Sequence, residues 1–270
     1  NMLDTSRNYA MGESEKRIGK AIKENGGWPK GFLLSTKLDR NMDTLVLDKN
    51  RARESLDESL KTLNVDSVDV LFLHDPEYAK DITDITKKGG AIDELFKIKD
   101  EGLAKAVGVA MGKVDIMLPL LKDWDFDVVI NHNRYTLINR EANEMYDYAS
   151  SKNIAIFNAA PYAGGVLAKG PDNFKKVTYQ DDATEEKLAP AREFEKVCKK
   201  HNVELGAAAL QFSLRDKRIT STICGVTSIE SIEKNLAWAN AEISGEFWEE
   251  ISKLPFSTND PESERVFTPG

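Results

Sequence analysis

A carboxylate, a phenol, an ammonium and an imidazole stand at the ends of three successive apolar runs in this 270-residue chain. Asp4 and Tyr9 follow the first, Asn1-Met-Leu-Asp-Thr-Ser-Arg-Asn-Tyr9. Lys37 closes Phe32-Leu-Leu-Ser-Thr-Lys37, and His74 closes Val68-Asp-Val-Leu-Phe-Leu-His74. Together these groups form a set that moves protons. A free phenol titrates near pH ~10, too high for efficient acid–base work at neutrality. An ammonium beside it favours the phenolate and lowers that value. A buried ammonium needs a carboxylate, which Asp4 would supply, and an imidazole can orient a carbonyl or hydroxyl oxygen. Each residue also has a plain reading. Asp4 could organise a turn with Thr5 and Ser6, Tyr9 could be a surface phenol, Lys37 a solvated lysine, and His74-Asp75-Pro76 a turn. What sets the four apart is their shared placement at consecutive strand ends.

In a parallel α/β sheet or barrel, the carboxyl ends of strands converge on one mouth, where active sites are built. The chain alternates short apolar runs with amphipathic stretches, the signature of βα units. Strands are expected near residues 1–5, 32–37, 68–74, 106–110, 127–131, 154–159 and 221–224. Helices are expected near 13–25, 48–63, 90–101, 113–121, 140–152, 184–201, 205–215, 228–239 and 245–253. Over 48–63, Ala52, Leu56, Leu60 and Leu63 share one face with charges opposite. Gly102 is placed to stop a helix, and Thr227-Ser-Ile-Glu230 reads as a capping box. No composition break divides the chain, so one domain over 1–270 is expected. Seven strand–helix units fall one short of a (β/α)8 TIM barrel. The chain opens without methionine inside a strand-like run, so the first strand and helix are expected to be missing from its N-terminus. A doubly wound fold is less favoured, because neither a Gly-x-Gly-x-x-Gly turn nor a phosphate loop occurs. The stretches 158–167 and 170–183 are the irregular segments expected to shape a site, with substrate choice in loops 75–88 and 168–183.

Composition excludes several functions. A net charge of -8 with no offsetting basic stripe argues against nucleic acid. No apolar run approaches the ~20 residues of a membrane span, and no signal-peptide pattern opens the chain. Two cysteines, Cys198 and Cys224, give no disulfide framework, so a reducing cytoplasm is expected. Three histidines far apart in sequence argue against a metal site. A small molecule remains as the expected partner. A proton-transfer set at a substrate oxygen also needs a hydride partner that no side chain provides, so a nicotinamide cofactor is implied.

The residues carry a resemblance. Asp4-Thr-Ser-x-x-Tyr9 followed by Gly12-Glu-Ser-Glu-x-x-Ile-Gly19 is similar to the signature of the aldo-keto reductases. Lys37 and His74 match the rest of that family's tetrad. The similarity continues through Gly102-Leu-Ala-Lys-Ala-Val-Gly-Val109 and through Thr222 to Leu236, so it covers nearly the whole chain. Arg134-Tyr-Thr-Leu137 and Pro161-Tyr-Ala-Gly-Gly-Val-Leu167 resemble the branch of L-fucose, L-galactose and D-threo-aldose dehydrogenases, with pyridoxal dehydrogenase close by. The resemblance implies a (β/α)8 barrel with NAD(P) across its mouth. It makes Tyr9 the general acid/base, with Lys37 tuning it, Asp4 pairing with Lys37, and His74 orienting the substrate oxygen. In the aldose dehydrogenases, hydride leaves C1 of the sugar and a lactone forms.

The same resemblance implies cofactor contacts at Asp4, Ala110, His132, Ala159, Pro161, Tyr162, Leu167, Gly225, Thr227, Ser228, Ser231 and Asn235. Some depart from the common pattern. Ala110-Met111 stands where Ser-Asn usually holds the carboxamide, His132 where Gln is usual, and Asn158-Ala159 where a tyrosine often stacks. His132 also reads as a satisfied strand residue. At the two positions where an arginine usually grips a 2′-phosphate the chain has Thr227 and Ser231, which favours NAD over NADP. Lys234 could substitute in part, and Asn235 matches an adenine contact. Two other outcomes stay open: a non-catalytic, cofactor-binding or regulatory barrel, and an inactive truncated fragment.

Overall fold

A computed structural model describes residues 1–179, 183–263 and 265. Its backbone forms two compact units, Asn1–Val129 and a second beginning at Ile130. The first unit holds β1 (Met2–Asp4), α1 (Glu13–Glu24), β2 (Leu33–Leu38), α2 (Lys49–Leu63), β3 (Val68–His74), α3 (Thr83–Thr86), α4 (Ala91–Asp100), β4 (Ala104–Met111) and α5 (Val114–Asp123). β5 (Val128–His132) carries the chain into the second unit. There follow α6 (Asn143–Ser151), β6 (Ala155–Ala159), α7 (Val166–Lys169), α8 (Glu185–Lys200), α9 (Leu205–Leu214), β7 (Ile219–Ile223), α10 (Ile229–Ala239) and α11 (Gly245–Ile251).

In the first unit β1, β2, β3 and β4 pair in that order, all parallel. The register sets Asp4 beside Ser35, Lys37 beside Phe72 and His74 beside Ala110. Three of the four expected catalytic groups therefore leave the sheet at neighbouring carboxyl ends. In the second unit β6 and β7 pair parallel, with a register shift at Ile156/Phe157.

All seven expected strands and nine expected helices occur, within a few residues of their expected bounds. The short helices α3 and α7 were not expected, because four residues are too few to show a helical period. Asp48 caps α2 by accepting from the Arg51 amide at 2.9 Å. On α2, Ala52, Leu56 and Leu63 are buried as expected, together with Ser55 and Ser59, while Leu60 is half-buried. Small residues fit there because α1 passes close by: a Cβ on Gly19 would sit 2.0 Å from the Thr62 carbonyl oxygen. Gly102 follows α4 with φ +78°, the left-handed stop expected of it.

The capping box of α10 is displaced by one residue from the expected pair. Ser228, not Thr227, is the cap, and Ser231, not Glu230, reciprocates. The Ser231 amide donates to Ser228 Oγ at 3.2 Å, and the Ser228 amide donates to Ser231 Oγ at 3.1 Å. Among the described residues no helix is long and apolar enough to cross a membrane.

Candidate active site

Asp4, Tyr9, Lys37 and His74 come together in the first unit. Lys37, 1% exposed, reaches the end of β2 and donates to Asp4 Oδ2 at 2.6 Å and to the Thr5 carbonyl at 2.7 Å. Ser35 donates to the other Asp4 oxygen. The Lys37 ammonium also lies over the Tyr9 ring, 4.5 Å from its centroid. Burial alone would lower the ammonium's pKa. Asp4 and the Tyr9 hydroxyl outweigh it, so Lys37 stays charged well past its ordinary range.

Tyr9 begins a short 3-10 turn whose next residues, Ala10, Met11 and Gly12, all have positive φ. The left-handed region is costly for Ala10 and Met11, so the turn after Tyr9 is a strained one. Tyr9 is 41% exposed as a residue, with Lys37 over its ring and His74 edge-on to it. Burial pushes the phenol above 10, Lys37 pulls it down, and Asp4 adds to the rise. The expected effect of the ammonium is present with its expected sign, but desolvation exceeds it. The expectation of a lowered phenol pKa is therefore corrected: the net direction is upward, and the phenol stays protonated at neutral pH.

His74 ends β3, edge-on to Tyr9 with ring centroids 5.6 Å apart. Its Nδ1 lies 2.5 Å from Asp39 Oδ1 and 3.2 Å from Ser6 Oγ. Asp39 is fully buried just past β2. Its second oxygen accepts from Ser6 Oγ at 2.6 Å and from the Asn8 amide at 3.1 Å. Burial would lower the imidazole's pKa, but Asp39, then Asp75, raise it beyond that loss. Burial would raise the Asp39 carboxyl; His74, Ser6 and Asn8 instead hold it below the usual range. Neither Asp39 nor Ser6 was among the expected site residues. The available signal was the spacing Lys37-Leu38-Asp39, which puts both charges on one side of an extended chain.

The expected cofactor contacts are dispersed. Ala110 is buried at the end of β4 beside His74. Of the residues in the second unit, His132 is half-buried at the end of β5, edge-on to Tyr179. Its Nδ1 lies 3.5 Å from Arg134 Nη1. Ala159 ends β6, Pro161 is buried, and Leu167 lies fully buried in a core cluster with Leu137, Leu188 and Phe194. Tyr162 donates to Asn235 Oδ1 at 2.7 Å, so these two meet. Gly225, Thr227 and Ser228 form an exposed approach to α10, with Ser231 half-buried behind them. A Cβ on Gly225 would meet nothing within 4 Å. The capping box occupies the Thr227, Ser228 and Ser231 amides, so what the exposed first turn of α10 brings to an anion is its helix dipole. Lys234 Nζ lies 4.7 Å from the Trp238 ring centroid and 3.9 Å from Glu204. The loop 170–183 includes residues 180–182, which lie outside the described residues.

The sequence model of the aldo/keto reductase family matches residues 1–255. L-galactose dehydrogenase of Arabidopsis thaliana is 30% identical over 241 residues, which span 88% of this chain and 73% of that protein. D-threo-aldose 1-dehydrogenase of a Pseudomonas species is 28% identical over 280 residues, spanning 93% and 82%. Among solved structures, the holo form of an aldo-keto reductase from Bacillus halodurans superposes with a TM-score of 0.77 at 20% identity. That likeness covers 98% of this chain and 86% of the other. The fold class is accordingly the (β/α)8 barrel class expected from the sequence.

Proposed function

The chain belongs to the aldo/keto reductase family of oxidoreductases, and from that premise we propose that it moves hydride between a nicotinamide and C1 of an aldose or a small aldehyde. Tyr9 is the general acid/base in this reading. The observation that carries it is the buried Lys37 ammonium, paired with Asp4 at 2.6 Å and set over the Tyr9 ring. A buried charge pair costs desolvation, and here it sits where it bears on one phenol. Bound nicotinamide supplies the hydride donor or acceptor. In carbonyl reduction the protonated Tyr9 hydroxyl gives its proton to the substrate oxygen. In the reverse direction it receives the proton of the C1 hydroxyl, and Lys37 stabilises the phenolate that must exist first. His74 hydrogen-bonds the same oxygen and fixes its orientation.

The residues present fit such a cofactor. The tetrad has proton chemistry and no electron acceptor, and the exposed N-terminus of α10 carries a helix dipole that favours an anion. The proposed contacts are Asp4 and Ala110 in the first unit, and His132, Ala159, Pro161, Tyr162, Leu167, Gly225, Thr227, Ser228, Ser231 and Asn235 in the second. Of these, Thr227, Ser231 and Asn235 are assigned to the adenosine end. NAD is favoured over NADP, since Ser231 Oγ is occupied by the cap and Thr227 carries no charge for a 2′-phosphate. Two cysteines without a disulfide are in keeping with a cytoplasmic location.

The test is the absorbance of reduced nicotinamide on mixing the chain with NAD⁺ and L-fucose, L-galactose, D-arabinose or pyridoxal. A rise with any of them is expected. Tyr9→Phe should lower kcat by roughly 10²–10⁴-fold while cofactor affinity measured by fluorescence stays unchanged. Turnover persisting at a comparable rate in that variant would remove Tyr9 from its role. Stoichiometric cofactor binding with no turnover from any substrate would favour the binding-module reading.

A further inference from the structure

We propose that Asp39 is a positioning residue: its buried carboxylate takes the Nδ1 proton of His74 and leaves Nε2 as the nitrogen that meets the substrate oxygen. The proposal rests on the reading of His74 as the group that orients that oxygen.

The geometry leaves Asp39 little choice. Its backbone amide donates to Ser55 Oγ at 2.9 Å, and its carbonyl accepts from Arg51 Nε at 3.1 Å, so α2 holds the residue from one side. Ser6 Oγ and the Asn8 amide take Oδ2, while Oδ1 lies 2.5 Å from His74 Nδ1. Ser6 spends its proton on Asp39, so what it turns toward Nδ1 at 3.2 Å is a lone pair. Two acceptors therefore surround Nδ1, which requires that nitrogen to carry hydrogen. A fully buried carboxylate is costly unless it is paired and hydrogen-bonded; Ser6 and Asn8 satisfy one oxygen, and the imidazole meets the other.

The consequence is a switch in what Nε2 can do. With the proton on Nδ1, a neutral His74 ring presents only a lone pair at Nε2 and cannot donate to the substrate oxygen. The protonated ring presents an N–H there instead, which donates to the oxygen. The imidazolium thus holds the oxygen through a lone pair, of the carbonyl or of the alcohol, and leaves the single hydroxyl hydrogen for Tyr9. Tyr9 transfers the proton in both directions, and His74 only hydrogen-bonds. The charged and titratable groups facing His74 are Lys37 from β2, Asp39 just past that strand, Tyr9 edge-on, and Asp75, whose Oδ1 lies 4.0 Å from Nε2. Asp39 is the carboxylate in contact, and its charge sustains the imidazolium to higher pH.

The deciding measurement is a nitrogen-15 NMR titration of the full chain, with the His74 signal identified by its loss in His74→Asn. The neutral ring should be the Nδ1–H tautomer, and its midpoint should lie above the ordinary value of ~6.5. Asp39→Asn should lower that midpoint by about one pH unit or more. In the same variant the pH at which kcat/KM for carbonyl reduction falls should move down with it, while KM for the nicotinamide is unchanged. An Nε2–H tautomer in the unaltered protein, or an unmoved midpoint in Asp39→Asn, overturns the proposal. So does a pH profile that is only scaled down. Should Asp39→Asn not fold, the tautomer of the unaltered protein decides, supported by Ser6→Ala with a smaller downward shift. The NMR arm needs no turnover, so failure of the oxidoreductase reading and failure of this proposal give different results.

Discussion

The Asp39–His74 pair also fixes how stability depends on pH. The imidazole is raised when folded, so its contribution is complete below the unfolded value of ~6.5 and is lost as pH rises through the folded one. The carboxyl is depressed when folded, so its contribution is complete above ~3.9 and is lost as pH falls. The gap in urea stability between the unaltered protein and Asp39→Asn should therefore be widest between about pH 4 and 6.5. It should shrink on either side, and a gap independent of pH would mean the two groups do not pair. At this scale the tetrad was legible because each member ends an apolar run. Asp39 was not, because a charged residue just past a strand ordinarily faces water. Its partner lies 35 positions away, a distance at which spacing carries no information. The net direction of the Tyr9 pKa was hidden for a related reason: Lys37 is visible in the sequence, whereas the depth at which the hydroxyl lies is not.

At the level of elements, periodicity served well wherever a stretch exceeded two turns or alternated cleanly. It failed at α3 and α7, and it misplaced the cap of α10 because two overlapping hydroxyl pairs compete there. Thr227 with Glu230 satisfies the usual pattern, but Ser231 can bond both backward to the cap and to the Thr227 amide, at 3.2 Å. That detail bears on cofactor choice. Thr227 lies one residue before the cap and is exposed, so a longer side chain there does not disturb the box. Thr227→Arg should shift the NADP-to-NAD preference by about 10-fold or more, the strength of one charge-assisted contact. An unchanged ratio of kcat/KM values would mean that the 2′-phosphate is bound elsewhere.

On the scale of whole units, the second is closed by a network that pattern reading did not foresee. Arg134, fully buried after β5, pairs with Asp260 at 2.7 Å and Glu262 at 2.8 Å. Glu262 also accepts from Asn133 Nδ2 at 2.6 Å. Nearby, the Arg140 amide donates to the Ser257 carbonyl and the Ser257 amide to that of Ile138, so a late segment is stitched to the turn after β5. The Arg134 segment was read as a family mark, and its structural duty depends on contacts about 125 residues away that no local window contains. Arg134→Met should cost about 3 kcal/mol by removing the buried cation between Asp260 and Glu262, which leaves Glu262 to Asn133 and the more distant Arg265; the readout is a lower urea midpoint. Adding Glu262→Gln should recover part of that loss; no recovery would mean the arginine acts by packing alone.

One strand end supports both halves of the chemistry. From β2, Lys37 reaches toward Asp4 and Tyr9, and two residues later Asp39 reaches His74. Damage at Tyr9 or at His74 removes one function and spares the other. A slip of a single residue at the end of β2 would silence both at once. A lineage drifting from this barrel toward a passive binder would therefore reach that state in fewest steps through Lys37-Leu38-Asp39. The same three positions are where a relative that has lost its activity should first be inspected.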